Sequence, residues 1–475
     1  MLLYVKIINV FIADREEFKK VGLKENKMGV MPVTKLVITM SLPIIASMLI
    51  QALYNIVDSM FVAKLNENAL TAVSLAFPIQ NLMIAVASGT AVGVNALLSR
   101  SLGEKNYDKV NKIAVNGIVL AFVGYLLFLI FGIFASEIFF RSQTDNPEII
   151  QGGTSYLRIC CILSFGVFGQ IMFERLMQAT GKTVYSMITQ SIGAIINIIL
   201  DPIFIFGYGP FPEMGIAGAA YATVVGQIIA LIFAIILNNK FNTEIKISFK
   251  KYKPDFKIIG RIYYIGIPSI IMVSIGSIMT YSLNKILISF TSTAAAVFGV
   301  YFKLQSFVFM PIFGINNGVI PIIAFNYGAR NRKRMIKTIK VALVFAVSIM
   351  AMGFATMQLF PEKLLKIFSA SENMLSIGVP ALKTISLCFI FAGICIILIS
   401  VFQSLGKSIF SMIVSICRQL VVLLPVAYLF SLTGKISNIW FAFPIAEIVS
   451  LLMIIIGFAF IYKKEIKNIP DGADC

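Results

Sequence analysis

Two aspartates stand inside apolar runs of this sequence. Asp58 lies in Tyr54-Asn55-Ile56-Val57-Asp58, and Asp201 in Asn197-Ile198-Ile199-Leu200-Asp201-Pro202. A carboxyl among aliphatic residues at membrane depth is costly, and by default it marks an ion or substrate path. Burial disfavours its charged form unless a cation or a proton is supplied. Asn197 and Asp201 are four apart, so on a helix they share one face. Pro202 has no N–H, so the Ile198 carbonyl loses its helical donor. A carboxylate, an amide oxygen and a freed carbonyl make an all-oxygen site for a hard cation such as Na⁺. The same carboxylate can instead carry H⁺. Thr223, in Gly218-Ala219-Ala220-Tyr221-Ala222-Thr223, would add a hydroxyl from a neighbouring helix, although its spacing alone reads as helix packing.

Other charged residues fall in apolar runs. Glu447 either lines a cavity or pairs with Arg418 or Lys303, and those two basic residues are expected to neutralise acids across helices. Glu174-Arg175 reads as structural. Tyr54, Gln80, Asn284 and Gln305 are secondary cavity candidates. The 40 Phe and 16 Tyr suit a cavity for flat apolar cations, although most of these rings must face lipid or pack helices.

Much chemistry is excluded. There is no histidine, so imidazole-based triads and zinc sites are absent. Five of the six cysteines (Cys160, Cys161, Cys388, Cys395 and Cys417) lie in apolar runs without metal-ligand spacing and read as small packing residues, while Cys475 is terminal. No phosphate-binding G-x-x-x-x-G-K-[ST] loop occurs. No cofactor is expected beyond a coupling ion, and no enzyme activity.

The elements that must position these residues are membrane helices. Of 475 residues, 58% are hydrophobic and 13% charged, with a mean hydropathy of +0.90; a soluble core cannot hide that much apolar surface. A bilayer-crossing helix needs about 20 mostly apolar residues. Twelve such runs centre near Ile50, Ala85, Val123, Phe165, Ile196, Ile229, Ile275, Phe309, Ala346, Phe391, Val422 and Met453.

The net charge of +18 would suggest nucleic acid in a soluble protein. Here the basic residues sit in short loops, thirty on one side of the predicted membrane against five on the other. That bias predicts a multi-pass protein of the cell membrane with both termini in the cytoplasm. Met1–Ile12 lacks a basic n-region and a small-residue cleavage site, so residues 1–36 read as a cytoplasmic arm, or as an over-extended start ahead of Met28.

The chain repeats itself. An offset of 225 residues relates Pro43 to Pro268, Gln80 to Gln305, Gly89 to Gly314, Gly93 to Gly318, Gly103 to Gly328 and Gln178-x-x-Gly181-Lys182 to Gln403-x-x-Gly406-Lys407. Six spans per half is an even number, so both halves enter from the same side and the repeat is parallel. The predicted organisation is an arm (1–36), a first lobe (37–238), a basic linker (239–261), a second lobe (262–463) and a tail (464–475). Rocking of the lobes would give alternating access to a cavity between them. The symmetry breaks at the acids. The offset partner of Asp58 is Leu283, beside Asn284, and that of Asp201 is Val426.

These motifs carry a resemblance. Ser41-Leu42-Pro43, Val57-Asp58-Ser59-Met60-Phe61-Val62, Arg100-Ser101-Leu102-Gly103, Asn197 to Pro202, Gly215 to Ala220, Phe325-Asn326-Tyr327-Gly328-Ala329 and Gly406-Lys407 together resemble the multidrug and toxic compound extrusion (MATE) family over residues 34–465. Its MepA-like branch is the most similar. The resemblance implies an all-α polytopic fold of twelve helices in two V-shaped lobes. It implies antiport that expels amphipathic, often cationic drugs in exchange for Na⁺ or H⁺. Asp58 and Asp201 match the family's cation-coupling acids, and Asn197 and Thr223 match assisting ligands in some members. A vibrio-type branch couples through acids of the seventh and tenth spans, which this chain lacks. The expected partners are small-molecule drugs and the lipid bilayer, with no nucleic acid, and the protein is expected to act as a monomer. The rival reading is a lipid-linked-oligosaccharide flippase of the same superfamily, which often has fourteen spans and a basic cavity.

Overall fold

The computed structural model describes residues 26–250, 253–368 and 370–471; Met1–Ile12 and Cys475 lie outside the described residues. Long apolar segments that must satisfy their own backbone in lipid can do so only as helices or closed barrels, and this chain is helical throughout its spans. Ten helices are long and apolar enough to cross a membrane: α1 (Val33–Ala63), α2 (Glu67–Gly103), α3 (Tyr107–Phe134), α5 (Thr183–Phe206), α6 (Gly215–Phe241), α7 (Phe256–Ile288), α8 (Ser292–Gly328), α9 (Arg332–Leu359), α11 (Ser408–Ser431) and α12 (Ile436–Ile466).

The fourth and tenth spans are bent pairs. α4 joins Pro147–Ile162 to Phe165–Ala179 at 44°, and α10 joins Glu372–Ser386 to Phe389–Ser404 at 47°. In the sequence each reads as one continuous run, because the residues at the break remain apolar and hydropathy cannot register a bend. The eleventh span is interrupted too: Cys417–Leu423 winds as a π-helix ahead of Pro425.

The repeat extends to helix starts. Asn66 caps α2 through Ala69 N–H and Thr291 caps α8 through Thr293 N–H. Asn106 and Asn331 cap α3 and α9, and Asn146 and Ser371 cap α4 and α10. Each pair keeps the 225-residue offset. A side-chain oxygen at these positions satisfies an otherwise orphaned N–H. The helices reach into the segments read as arm and linker, with α1 starting at Val33, α6 ending at Phe241 and α7 starting at Phe256.

The lobes meet reciprocally, α2 on α7 and α8 on α1. A Cβ on Gly89 would lie 2.4 Å from Ile270, and one on Gly314 2.4 Å from Ile45. These close approaches fall toward the end of the bundle that carries the basic loops, called here the basic end. Further along, Asn81 Nδ2 donates to Ser277 Oγ at 2.8 Å across the seam.

Candidate functional site

The first lobe gathers its polar groups between α1, α5 and α6. Asp201 is fully buried and Asn197 nearly so. Their i, i+4 spacing on α5 puts the Asn197 amide 3.3 Å from the Asp201 carboxylate. The backbone N–H of Thr223 on α6 faces the other end of that amide, which assigns Oδ1 there. It accepts from the Thr223 hydroxyl and from its N–H, each at 3.2 Å, while Nδ2 donates to Asp201. The spacing of Thr223 reads as packing, yet the fold brings its hydroxyl into this chain of contacts.

Asp58 stands five residues before the end of α1. Its Oδ1 is buried without a hydrogen-bond partner, and it lies within Coulombic reach of Asp201. A buried, unpaired acceptor is expensive. The physical remedy is a proton or a cation, and the chemistry of a carboxylate, an amide and a hydroxyl suits either. Among the described residues no three His, Cys, Asp or Glu side chains cluster. A cation here would therefore rely on two carboxylates at most and on neutral oxygens for the rest.

Tyr54, Asn197 and Thr223 border a small cavity of about 80 Å³ together with Gln51, Gln190 and Glu174. The sequence reading missed the two glutamines. Gln190 Nε2 donates to Gln51 Oε1 at 2.8 Å, tying α5 to α1; an amide inside an apolar run was the available signal. Glu174, read as structural, accepts from Gln170 Nε2 (3.0 Å) and from Thr189 Oγ1 (3.2 Å). It is satisfied, and it also borders the cavity. Gln80 is held within the lobe, donating to Tyr156 Oη at 3.2 Å.

In the second lobe, Glu447 pairs with Arg418, Nη1 to Oε2 at 3.1 Å. Both also line a pocket with Gln305, so the two alternatives for Glu447 coincide. Lys303 does not join them; its ammonium lies 5.9 Å from the centre of the Phe368 ring. Asn284, the neighbour of the offset partner of Asp58, has a buried Oδ1 without a partner. The five cysteines within the described residues are free thiols, four of them buried.

The MatE family profile matches this chain twice, over residues 43–203 and 268–429. Its two matches begin at Pro43 and Pro268, the pair that opens the internal repeat. The multidrug export protein MepA of Staphylococcus haemolyticus is 28% identical over 419 residues, spanning 87% of this chain and 91% of that protein. The MepA of Staphylococcus aureus strain NCTC 8325 is 26% identical over 432 residues, spanning 89% and 94%. An outward-facing structure of a multidrug resistance MATE family transporter of the MOP superfamily is similar at TM-score 0.86 and 25% identity, covering 94% of this chain and 99% of that one. A MOP superfamily transporter from Pyrococcus furiosus shares the fold at TM-score 0.86 and 24% identity, with the same coverage. With twelve helices in two repeat-related lobes, this multi-pass membrane protein belongs to the MatE family of transporters, and is not an enzyme.

Proposed function

We propose that this protein exports amphipathic, often cationic compounds across the cell membrane in exchange for Na⁺ or H⁺. The MepA relatives, named as multidrug export proteins, support drug export as the activity. The observation that carries the exchange is the asymmetry of the lobes. The first holds a buried Asp201 bridged through Asn197 to Thr223, beside an Asp58 with an unpartnered oxygen. The second has Leu283 and Val426 at the equivalent positions.

The positive-inside rule places the basic end, and with it both termini, in the cytoplasm. The close seam at that end, with the likeness to an outward-facing relative, supports an outward-facing reading. In the cycle, Asp58 and Asp201 take up the coupling ion from outside. Neutralising them removes the penalty for burying charge and changes how α1, α5 and α6 pack. Drug affinity falls, cargo leaves, and the lobes return inward. There, drug binding and ion release compete. The protein works as a monomer in the bilayer, carrying small molecules and the coupling ion and no nucleic acid. The flippase alternative asks for a basic cavity, whereas Arg418 in the second lobe is neutralised by Glu447.

The test is ethidium efflux from proteoliposomes under Na⁺ and H⁺ gradients imposed separately. One gradient is expected to drive efflux in the wild type, and Asp58→Asn and Asp201→Asn to abolish it. Normal coupling in both variants would overturn the assignment of the site. A wild type that moves no cation-like dye under either gradient would overturn the cargo class.

A further inference from the structure

At the 225-residue offset, Arg418, Gln419 and Glu447 stand where the first lobe has Gly193, Ala194 and Ala222. Three small residues on one side of the repeat are thus three polar ones on the other. Such a replacement inside a membrane helix bundle is costly and calls for a use. Arg418 and Gln419 also belong to the π-helical turn Cys417–Leu423, and π-turns inside helices are frequent at functional sites.

The geometry leaves donors unused. Arg418 meets Glu447 through Nη1 alone, at 3.1 and 3.5 Å. The two-nitrogen fork that normally grips a carboxylate is therefore not formed. Its Nε and Nη2 make no hydrogen bond among the described residues. Gln419 is 8% exposed, lines the same pocket, and its amide has no hydrogen-bond partner there. The Gln305 amide is also without one, whereas its repeat counterpart Gln80 is held by Tyr156. The pocket of about 90 Å³ has room for roughly three waters or one small polar head. Phe302, Phe309 and Phe443 form its walls, and Phe302 is exposed.

We propose that this second-lobe pocket binds the carboxylate of an aromatic molecule, with Arg418 and Gln419 as its principal donors. Arg418 turns its unused edge to the carboxylate while Glu447 holds the opposite nitrogen. The amides of Gln419 and Gln305 donate to the same oxygens, and the ring lies among the phenylalanines. Aromatic walls around a few convergent polar groups are the usual make-up of a small-molecule site. The inference deepens the transport reading by naming a second cargo class, held in the lobe that lacks Asp58 and Asp201.

The test is calorimetric titration of the full chain in detergent with 2-naphthoate, and with its neutral relative 2-naphthamide. No gradient is present, so failure here is distinct from failure of cation coupling. Saturable naphthoate binding is expected, about tenfold tighter than the amide. Arg418→Lys keeps the charge opposite Glu447 but loses the planar fork, and is expected to weaken naphthoate at least tenfold. Gln419→Leu should weaken it about tenfold and Gln305→Leu by less, as expected for hydrogen bonds to a charged group. If Arg418→Lys fails to fold, the two glutamine variants decide. The proposal is overturned if naphthoate binds no better than the amide, or if both glutamine variants bind like the wild type.

Discussion

Gly103 of α2 lies so close to Phe325 of α8 that a Cβ on it would sit 2.0 Å from the Phe325 carbonyl oxygen. The repeat returns the same contact: a Cβ on Gly328 would sit 2.1 Å from the carbonyl of Arg100, and Arg100 and Phe325 are themselves related by 225 residues. Arg100 further covers the Tyr327 ring at 4.7 Å. Two backbones thus touch at the basic end, on both sides of the pseudo-two-fold axis.

Gly103→Ala is therefore expected to loosen the basic end. Ser41, 3% exposed and packed on Gly318, reports the seam. With Ser41→Cys in an otherwise cysteine-free chain, a membrane-impermeant maleimide applied from the basic end should label several-fold faster once Gly103→Ala is added. Equal rates would show that the seam is not held at Gly103.

Thr223→Val keeps the shape of the side chain and removes the hydroxyl facing Asn197. The expected consequence is a several-fold rise in the cation concentration for half-maximal efflux, as for loss of one hydrogen bond of about 1 kcal/mol. Drug affinity measured without a gradient should not change. A fall in drug affinity with unaltered cation dependence would place Thr223 on the cargo side instead.

The Arg418–Glu447 pair allows a stability test. Removing one partner of a buried pair leaves an uncompensated charge and costs about 3–5 kcal/mol, whereas replacing both by apolar residues is often neutral. Thermal unfolding in detergent should thus show Arg418→Met and Glu447→Leu each well below the wild type. The double variant should recover most of the loss. Additive losses would mean that the pair is worth little in the fold.

Asn26 and Arg334 hold the segment before α1 against both lobes. Asn26 donates to the Thr180 carbonyl in the first and to Glu244 of the linker that follows it, while Arg334 of α9 donates to the carbonyls of Met28 and Met31. Asn26 also caps Lys27–Val30. Asn26→Ala should cost about 1 kcal/mol as a lost cap and speed hydrogen exchange over residues 27–31. Unchanged exchange would show that the second-lobe donors Arg334 and Asn326, which both reach the Met28 carbonyl, suffice.

At the tail, the Arg332 guanidinium donates to both oxygens of Asp471 at 2.8 Å, and to the Lys467 carbonyl at 2.7 Å. The hydrogen bond from Arg332 holds the Asp471 carboxyl below its ordinary range. A group so depressed in the folded state adds stability that is present above its ordinary value, about 3.9, and is lost as pH falls through its folded value. Tail amides over residues 467–471 should be protected at pH 7 and lose protection only below about pH 4. Arg332→Ala should expose them at neutral pH.

The sequence by itself determined the number of spans, the repeat and the confinement of Asp58 and Asp201 to the first half. These are local or periodic properties: apolar length follows from bilayer thickness, and repetition from residue identity. The i, i+4 pairing of Asn197 with Asp201 was legible for the same reason. Only the tertiary structure decided that Thr223 meets Asn197, that Gln51 meets Gln190, that Glu447 pairs with Arg418 and not with Lys303, and that α4 and α10 bend. Each depends on how far a helix is rotated and tilted against its neighbour. Among side chains that are nearly all apolar, no pattern in the sequence encodes that rotation; it is set by close packing, and glycines such as Gly103 and Gly328 fix it by admitting backbone where any Cβ would collide.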